Sequence, residues 1–302
     1  MKIAVVGAGS IGSRHERILK QLGHQVSVTS ANSPVADFRS LSDALERQSF
    51  DYVVIASQTS QHFHDLSTLI RNKFKGRVLI EKPLFEKPYR LKSNLFSLAA
   101  VGYNLRFHPA IIWLKDTLPK LGNLSSANFY VGQYLPTWRP DTDYRDSSSA
   151  QDISGGGVLR DLSHELDLAQ NLFGDWQRLT AVGGKFSELE ITTDDTFSIL
   201  MSATKCNVVS VHLNYLDQIK QRNITINGNN GTISVDLVGN SARFNETEVQ
   251  FSVSADDSYN AQHLAVIAND SQEICTLGDA LKVVDTIEAI EIATKKQKWV
   301  SQ

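Results

Sequence analysis

Three short segments carry side chains whose types and spacing suit hydrogen transfer at a carbon bearing oxygen. The first, Gly7-Ala8-Gly9-Ser10-Ile11-Gly12, is a GxGxxG sequence directly after the apolar run Ile3-Ala4-Val5-Val6. Gly7 permits a tight turn, Gly9 lets backbone approach a pyrophosphate, and Gly12 lets a helix pack on the strand. That helix starts at Ser10 and Ile11 and turns its N-terminus towards negative phosphates. The second, Glu81-Lys82-Pro83, ends the apolar run 77–80. Ligands on open parallel sheets bind beyond the carboxyl ends of strands, so Lys82 is expected in that crevice. A lysine there can hydrogen-bond a substrate oxygen and stabilise negative charge developing on it. Read alone, it is equally a solvated lysine before a turn-forming proline.

The third segment is Gly155-Gly156-Gly157 followed by 158–167, read as one amphipathic helix. At roughly 100° per residue, His164 lies about 60° behind Asp161 and Glu165 about 40° ahead, so all three share a face. An imidazole near its solution pKa suits proton exchange with a hydroxyl, and a nearby carboxylate can orient it or hold substrate. The plain alternative is a helix with surface charges, although Asp161–Glu165 is then an unfavourable like-charge pair. No HExxH or cysteine set accompanies these residues, so no metal is expected. Between the second and third segments, 102–109 carries Asn104 and Arg106, which are expected to line a substrate cleft. The competing reading is a linker whose Arg106 pairs with a carboxylate.

The elements that position these segments alternate. Residues 2–6, 25–29, 52–56, 77–80 and 99–103 read as strands; 11–22, 41–47, 62–72 and 89–98 read as helices. Apolar runs without polar alternation are expected of parallel strands covered on both faces. The expectation is a Rossmann-type, doubly wound parallel sheet in an α/β chain. Beyond it, helical stretches at 109–118 and 159–173 precede long alternating segments at 179–186, 195–203, 207–215, 222–227, 232–237 and 248–253. Asn227-Gly228-Asn229-Asn230-Gly231 marks a turn between two of them. These segments predict an α+β domain with a large, mostly antiparallel open sheet. Residues 279–296 return to helical periodicity. The expected domains are 1–105, which bind NAD(P), and 106–302, which bind substrate and support oligomerisation, with the C-terminal helix placed to pack back on the first. Residues 141–151 are polar and Ser-rich, a candidate mobile loop.

An acidic residue that would hold the ribose hydroxyls belongs at the end of the second strand. Here the chain reads Val26-Ser27-Val28-Thr29-Ser30-Ala31-Asn32. With no carboxylate to repel it, a 2′-phosphate is tolerated; Ser30 and Asn32 offer hydrogen bonds, and Arg14 or Arg39 is a candidate source of charge. The cofactor is therefore NAD or NADP, leaning to NADP.

Composition excludes other classes. The 302 residues are 41% hydrophobic and 21% charged, with formal net charge −3 and a pI near 6.2. No basic field exists to hold nucleic acid or an anionic membrane. No apolar stretch approaches a membrane span of roughly 18 residues. Cys206 and Cys275 lack CxxC spacing. A cytoplasmic protein is expected, since 1–6 lead straight into glycines rather than forming a leader.

Gly7–Gly12 with Arg14-His15, then Ala56-Ser57-Gln58-Thr59-Ser60-Gln61-His62, Glu81-Lys82-Pro83 and 155–167, occur in that order. Together they resemble the glucose–fructose oxidoreductase/inositol dehydrogenase/MocA (Gfo/Idh/MocA) family over essentially the whole chain. The resemblance implies a Rossmann domain joined to an α/β domain whose open sheet commonly serves oligomerisation, hence a homodimer or homotetramer. It implies NAD(P)-dependent oxidation or reduction of a sugar-like alcohol or ketone. It places Lys82 at substrate and nicotinamide, Thr59, His62 and Glu81 beside the cofactor, and Asp161 as the aspartate after the triple glycine. Many relatives carry the catalytic histidine four residues after that aspartate, where this chain has Glu165; His164, three after, is taken as the acid/base. Gly132-Gln133-Tyr134-Leu135-Pro136 and Asp143-Tyr144-Arg145 resemble a subgroup associated with bacterial surface-sugar biosynthesis, which implies that Tyr144 and Arg145 bind substrate. A biliverdin-like or dihydrodiol substrate fits less well than a hydroxylated one. The rival from another class is a non-catalytic NAD(P)-binding regulatory or assembly protein, because folds do not dictate chemistry.

Overall fold

The computed structural model describes residues 1–139 and 142–302. Pro140 and Asp141, the latter expected to open the polar loop, lie outside the described residues. The chain forms two compact units, Met1–Phe107 with Ala255–Val284, and His108–Ser254 with Asp285–Gln302.

In the first unit, β1 (Lys2–Val6), β2 (Gln25–Thr29), β3 (Tyr52–Ile55), β4 (Arg77–Ile80) and β5 (Leu98–Val101) are parallel, in the order β5-β4-β3-β1-β2. Helices α1 (Ser10–Gln21), α2 (Leu41–Arg47) and α3 (Thr59–Arg71) make the first three crossovers. The strand order reverses at β1, which pairs with both β2 and β3, and such a switch point is where open α/β sheets bind ligands. Ile3, Val5, Tyr52, Val54, Leu79 and Ala100 are wholly buried with Leu19 of α1, as strands covered on both faces require.

The fourth crossover departs from the expectation of a helix at 89–98: residues 88–96 are irregular, and Leu98 already begins β5. Its aromatics are used elsewhere. The Tyr89 ring stacks on Phe63 of α3 at 4.4 Å and meets Phe85 edge-on at 5.6 Å. Residues 92–95 are exposed, so no continuous apolar face exists to hold a helix down.

The second unit carries α4 (Pro109–Thr117) and a nine-stranded sheet: β6 (Leu124–Gly132), β7 (Trp176–Gly184), β8 (Thr196–Ala203), β9 (Val209–Asn214), β10 (Gln221–Gly228), β11 (Gly231–Asp236), β12 (Ser241–Phe244), β13 (Thr247–Gln250) and a short edge strand at Val300–Ser301. Its order is β13-β12-β11-β10-β6-β9-β8-β7 and then that edge. Only the central β6–β9 pair is parallel. One face is apolar, with Phe129, Val131, Ile199, Met201, Val211, Leu213, Ile224 and Ile226 buried. The other presents Asn128, Tyr130, Ser198, Leu200, Ser210 and His212. This is the alternation of a sheet covered on one side.

The helix expected across 159–173 is two helices, α5 (Val158–Asp161) and α6 (His164–Phe173). Leu162 between them, at φ −101° and ψ 26°, is outside the helical region. α6 covers the apolar face, where Phe173 meets Phe129 edge-on at 6.1 Å. The chain then returns through α7 (Asp257–Ala268) and β14 (Cys275–Thr276), which pairs antiparallel with β5. The last helix, α8 (Leu277–Lys296), begins in the first unit and ends in the second. Cys206 and Cys275 are buried thiols that form no disulfide. Among the described residues, no helix is long and apolar enough to cross a membrane.

Candidate active site

The glycine loop follows β1. Gly7 sits at φ +107°, and a Cβ there would come within 2.5 Å of the Ala56 carbonyl oxygen at the end of β3. A Cβ on Gly12 would collide with the Gly7 carbonyl oxygen. Gly9 differs: it caps α1, and a Cβ added to it meets nothing within 4 Å. No side chain caps α1, its first turn holds no acidic residue, and Ser10 is exposed. An open helix N-terminus with unmatched backbone donors is the environment a pyrophosphate needs. The residues therefore fit a dinucleotide. Thr59, half-buried, opens α3 nearby in the sheet order.

The loop after β2 is neutral. Ser30 Oγ accepts from the Ser33 N–H at 3.2 Å. The Arg39 guanidinium donates to the carbonyls of Ser33 at 3.1 Å and Ala31 at 3.4 Å, so its charge lies on this loop. Arg14 is engaged elsewhere, 3.6 Å from Asp256 and over the Tyr259 ring.

Two residues expected beside the cofactor turn inward. His62 is buried, with Nε2 3.0 Å from the Ser57 carbonyl and Nδ1 3.1 and 3.2 Å from those of Pro83 and Leu84. It ties the loop after β3 to the loop after β4, and burial lowers its pKa. Glu81 is also buried, and its Oε1 accepts from His15 Nε2 at 2.9 Å. Oε2 accepts from the Lys82 N–H at 3.3 Å. Lys82 itself leaves the carboxyl end of β4, half-buried.

Asn104 and Arg106 are buried within the first unit. The Asn104 amide donates to Ser258 of α7 at 2.7 Å. Arg106 donates to the Ile274 carbonyl at 3.3 Å and lies 3.6 Å from Asp279.

In the second unit the break after α5 separates Asp161 from His164, which opens α6 and is 8% exposed. Asp161 Oδ2 accepts from the Tyr215 hydroxyl at 2.6 Å. Burial and then the Asp161 charge push the Tyr215 phenol well up. Glu165 faces a different partner, the Arg222 guanidinium, which donates to both its oxygens at 2.7 and 2.9 Å. Asp194 caps α5 through the Leu159 N–H at 3.2 Å, and burial raises its pKa to about 6. Tyr144 accepts from the Glu190 N–H at 3.1 Å. Arg145, exposed, chelates Asp143 and reaches Glu190 at 3.2 Å. That pairing lowers the Asp143 carboxyl to about 2. Tyr215 and Asp194 carry no sequence signal beyond their place in or beside alternating strands.

Residues 1–101 match the model for the oxidoreductase family with NAD-binding Rossmann fold, and residues 119–234 match the GFO/IDH/MocA C-terminal domain. The chain belongs to the Gfo/Idh/MocA family. Its first unit is an NAD-binding Rossmann domain and the family is one of oxidoreductases. The fold is shared over full length with solved structures. GenD2 from gentamicin A biosynthesis, solved with NAD, aligns with TM-score 0.83 at 21% identity, covering 100% of this chain and 96% of that one. Levoglucosan dehydrogenase with NADH and levoglucosan gives 0.85 at 16%, covering 100% and 98%. The WlbA dehydrogenase from Bordetella pertussis, with NADH and UDP-GlcNAcA, gives 0.82 at 19%, covering 100% and 98%. No curated protein sequence matches this Gfo/Idh/MocA chain.

Proposed function

We propose that this Gfo/Idh/MocA member oxidises or reduces a hydroxyl or keto carbon of a sugar or sugar derivative. The observation that carries the reading is a single sheet. Gly9, at the open start of α1, and Lys82, leaving β4, both follow the carboxyl ends of its parallel strands. Bound NAD(P) would accept or supply the hydride at nicotinamide C4. Lys82 hydrogen-bonds the reacting oxygen and stabilises its developing charge. His164 exchanges the hydroxyl proton. Asp161, fixed by Tyr215, orients the imidazole or a substrate hydroxyl.

Tyr144 and Arg145 are proposed substrate contacts on the polar loop. Asn104 and Arg106, buried against α7 and the β14 edge, shape the first unit's substrate side. Structural neighbours were solved with levoglucosan and with UDP-GlcNAcA, which supports a hydroxylated ligand; a place in surface-polysaccharide metabolism rests on the resemblance of 132–136 and 143–145 alone. The neutral loop at Ser30, with Arg39 on it, leans the cofactor to NADP. We also assign the protein to the cytoplasm as a homodimer or homotetramer, joined through the polar face of the nine-stranded sheet. A regulator without turnover has no supporting observation.

The test is to supply the protein with NAD or NADP in either redox state and a panel of polyols, sugars, sugar acids and nucleotide sugars. Cofactor oxidation or reduction dependent on one of them supports the reading. Tight cofactor binding with no hydride exchange across the panel overturns it.

A further inference from the structure

α7 belongs to the first unit but lies outside both segments matched by the family models. Its buried residues are Ser258, Gln262, His263 and Val266, with the partly buried Ala261, Ala265 and Ile267 packed against the core beside them. Three of the four buried residues are polar, and each has a buried partner. Ser258 accepts from Asn104, Gln262 donates to the Val101 carbonyl at 3.3 Å, and His263 is wholly buried between Tyr52 and His15.

The His263 contacts extend into a chain of four side chains. Tyr52 Oη lies 2.9 Å from His263 Nδ1, His263 Nε2 lies 2.8 Å from His15 Nδ1, and His15 Nε2 lies 2.9 Å from Glu81 Oε1. Tyr52, His263 and His15 are each 0% exposed. The proton positions follow from the ends. A carboxylate accepts only, so His15 Nε2 must carry hydrogen. His15 Nδ1 then accepts from His263 Nε2–H, and His263 Nδ1 accepts from the Tyr52 hydroxyl. Every donor is matched, all in one direction, towards Glu81. Burial keeps Tyr52 and His263 neutral, raising the phenol and lowering the imidazole well away from their ordinary values. The opposite arrangement, with a hydrogen on both His15 nitrogens, turns His263 Nδ1 into a donor to Tyr52. The buried Tyr52 hydroxyl hydrogen then has no acceptor among the described residues, which costs more than a matched bond returns.

Glu81 ends the chain with its second oxygen on the Lys82 N–H. Space for that carboxylate comes from Gly102, where a Cβ would stand 2.6 Å from Glu81 Oε1.

We propose that Tyr52, His263 and His15 form a one-way hydrogen-bond wire that holds the Glu81 carboxylate against the Lys82 backbone, making His263 a positioning residue for Lys82. The assignment rests on the reading that Lys82 serves the reacting oxygen. It gives the returning helix α7 a catalytic consequence that acts through Glu81 and the Lys82 backbone.

The experiment reads amide hydrogen exchange at Lys82 by NMR on the full chain, normalised to Val54 in the same sheet, and needs no substrate. His263→Leu, which removes the donor to His15, should raise Lys82 exchange about tenfold. His263→Gln keeps an N–H at a similar reach and should return it to within roughly threefold of wild type. Unchanged Lys82 exchange in His263→Leu, or an equal rise in both variants, overturns the wire. Should His263→Leu not fold, Tyr52→Phe takes its place, and unchanged exchange there overturns it equally. With a substrate identified, kcat should fall about tenfold in His263→Leu and recover in His263→Gln, with cofactor KM within about twofold. An unaffected kcat contradicts the positioning role. If the wild-type chain turns over no sugar, the hydride-transfer reading fails, while Lys82 exchange still decides the wire.

Discussion

Glu165 and Arg222 form a bidentate pair, at 2.7 and 2.9 Å, with the Glu165 side chain 1% exposed. Glu165 is the residue four after Asp161, and its carboxylate is bound to β10 by a charge-assisted fork. Removing one member strands the other in a poorly solvated site. Glu165→Ala should therefore destabilise the protein by about 2–4 kcal/mol, somewhat below a fully buried pair because Arg222 keeps partial exposure. Replacing both together by leucine and methionine should recover most of that loss. Urea unfolding of the single and double variants checks this; a single variant as stable as wild type contradicts a structural role for the pair.

Asp194 gives a pH dependence of known sign. Its folded-state carboxyl is raised from 3.8 to about 6 by burial. The folded chain thus binds a proton more tightly than the unfolded chain, and stability is lost as pH rises through that window. The difference of about two units corresponds to at most about 3 kcal/mol above pH 6. Asp194→Asn keeps an acceptor for the Leu159 N–H and removes the charge. It should be more stable than wild type above pH 6, by up to about 3 kcal/mol, with the gap closing below about pH 4. Denaturation midpoints across that range test it. A variant less stable than wild type at high pH would be inconsistent with the cause given.

Arg39 reports on the cofactor. Its guanidinium already lies on the Ala31 and Ser33 carbonyls, and a 2′-phosphate on the same loop gains a charged partner. Arg39→Ala should weaken NADPH binding about tenfold and leave NADH within about twofold. Fluorescence titration with both cofactors decides, and equal losses for the two would remove the lean to NADP.

How much was legible depended on what each segment buries. Runs such as Tyr52-Val53-Val54-Ile55 are buried throughout and read directly as parallel strands. The strand β6 gives a weak signal because its inward residues include Ala127 and its outward ones include the aromatic Tyr130. α7 was invisible for a sharper reason. Beside Val266, its buried residues are the polar Ser258, Gln262 and His263, whose partners lie more than 150 residues away in sequence. The candidate site divides the same way. Gly7, Gly9 and Gly12 declare their geometry through the missing side chain. The Tyr215–Asp161 bond, and the inward turn of Glu81 and His62, depend on tertiary partners that spacing alone does not reveal. The single helix expected over 159–173 failed at Leu162, where apolar periodicity continues through a break in the backbone.

The most direct test of the central claim compares Lys82→Met and His164→Ala with wild type for cofactor affinity and for hydride transfer to or from the sugar that the panel identifies. Both variants should bind NAD(P) within about threefold of wild type and lose turnover by roughly a thousandfold or more. Turnover near wild type in both would contradict the account.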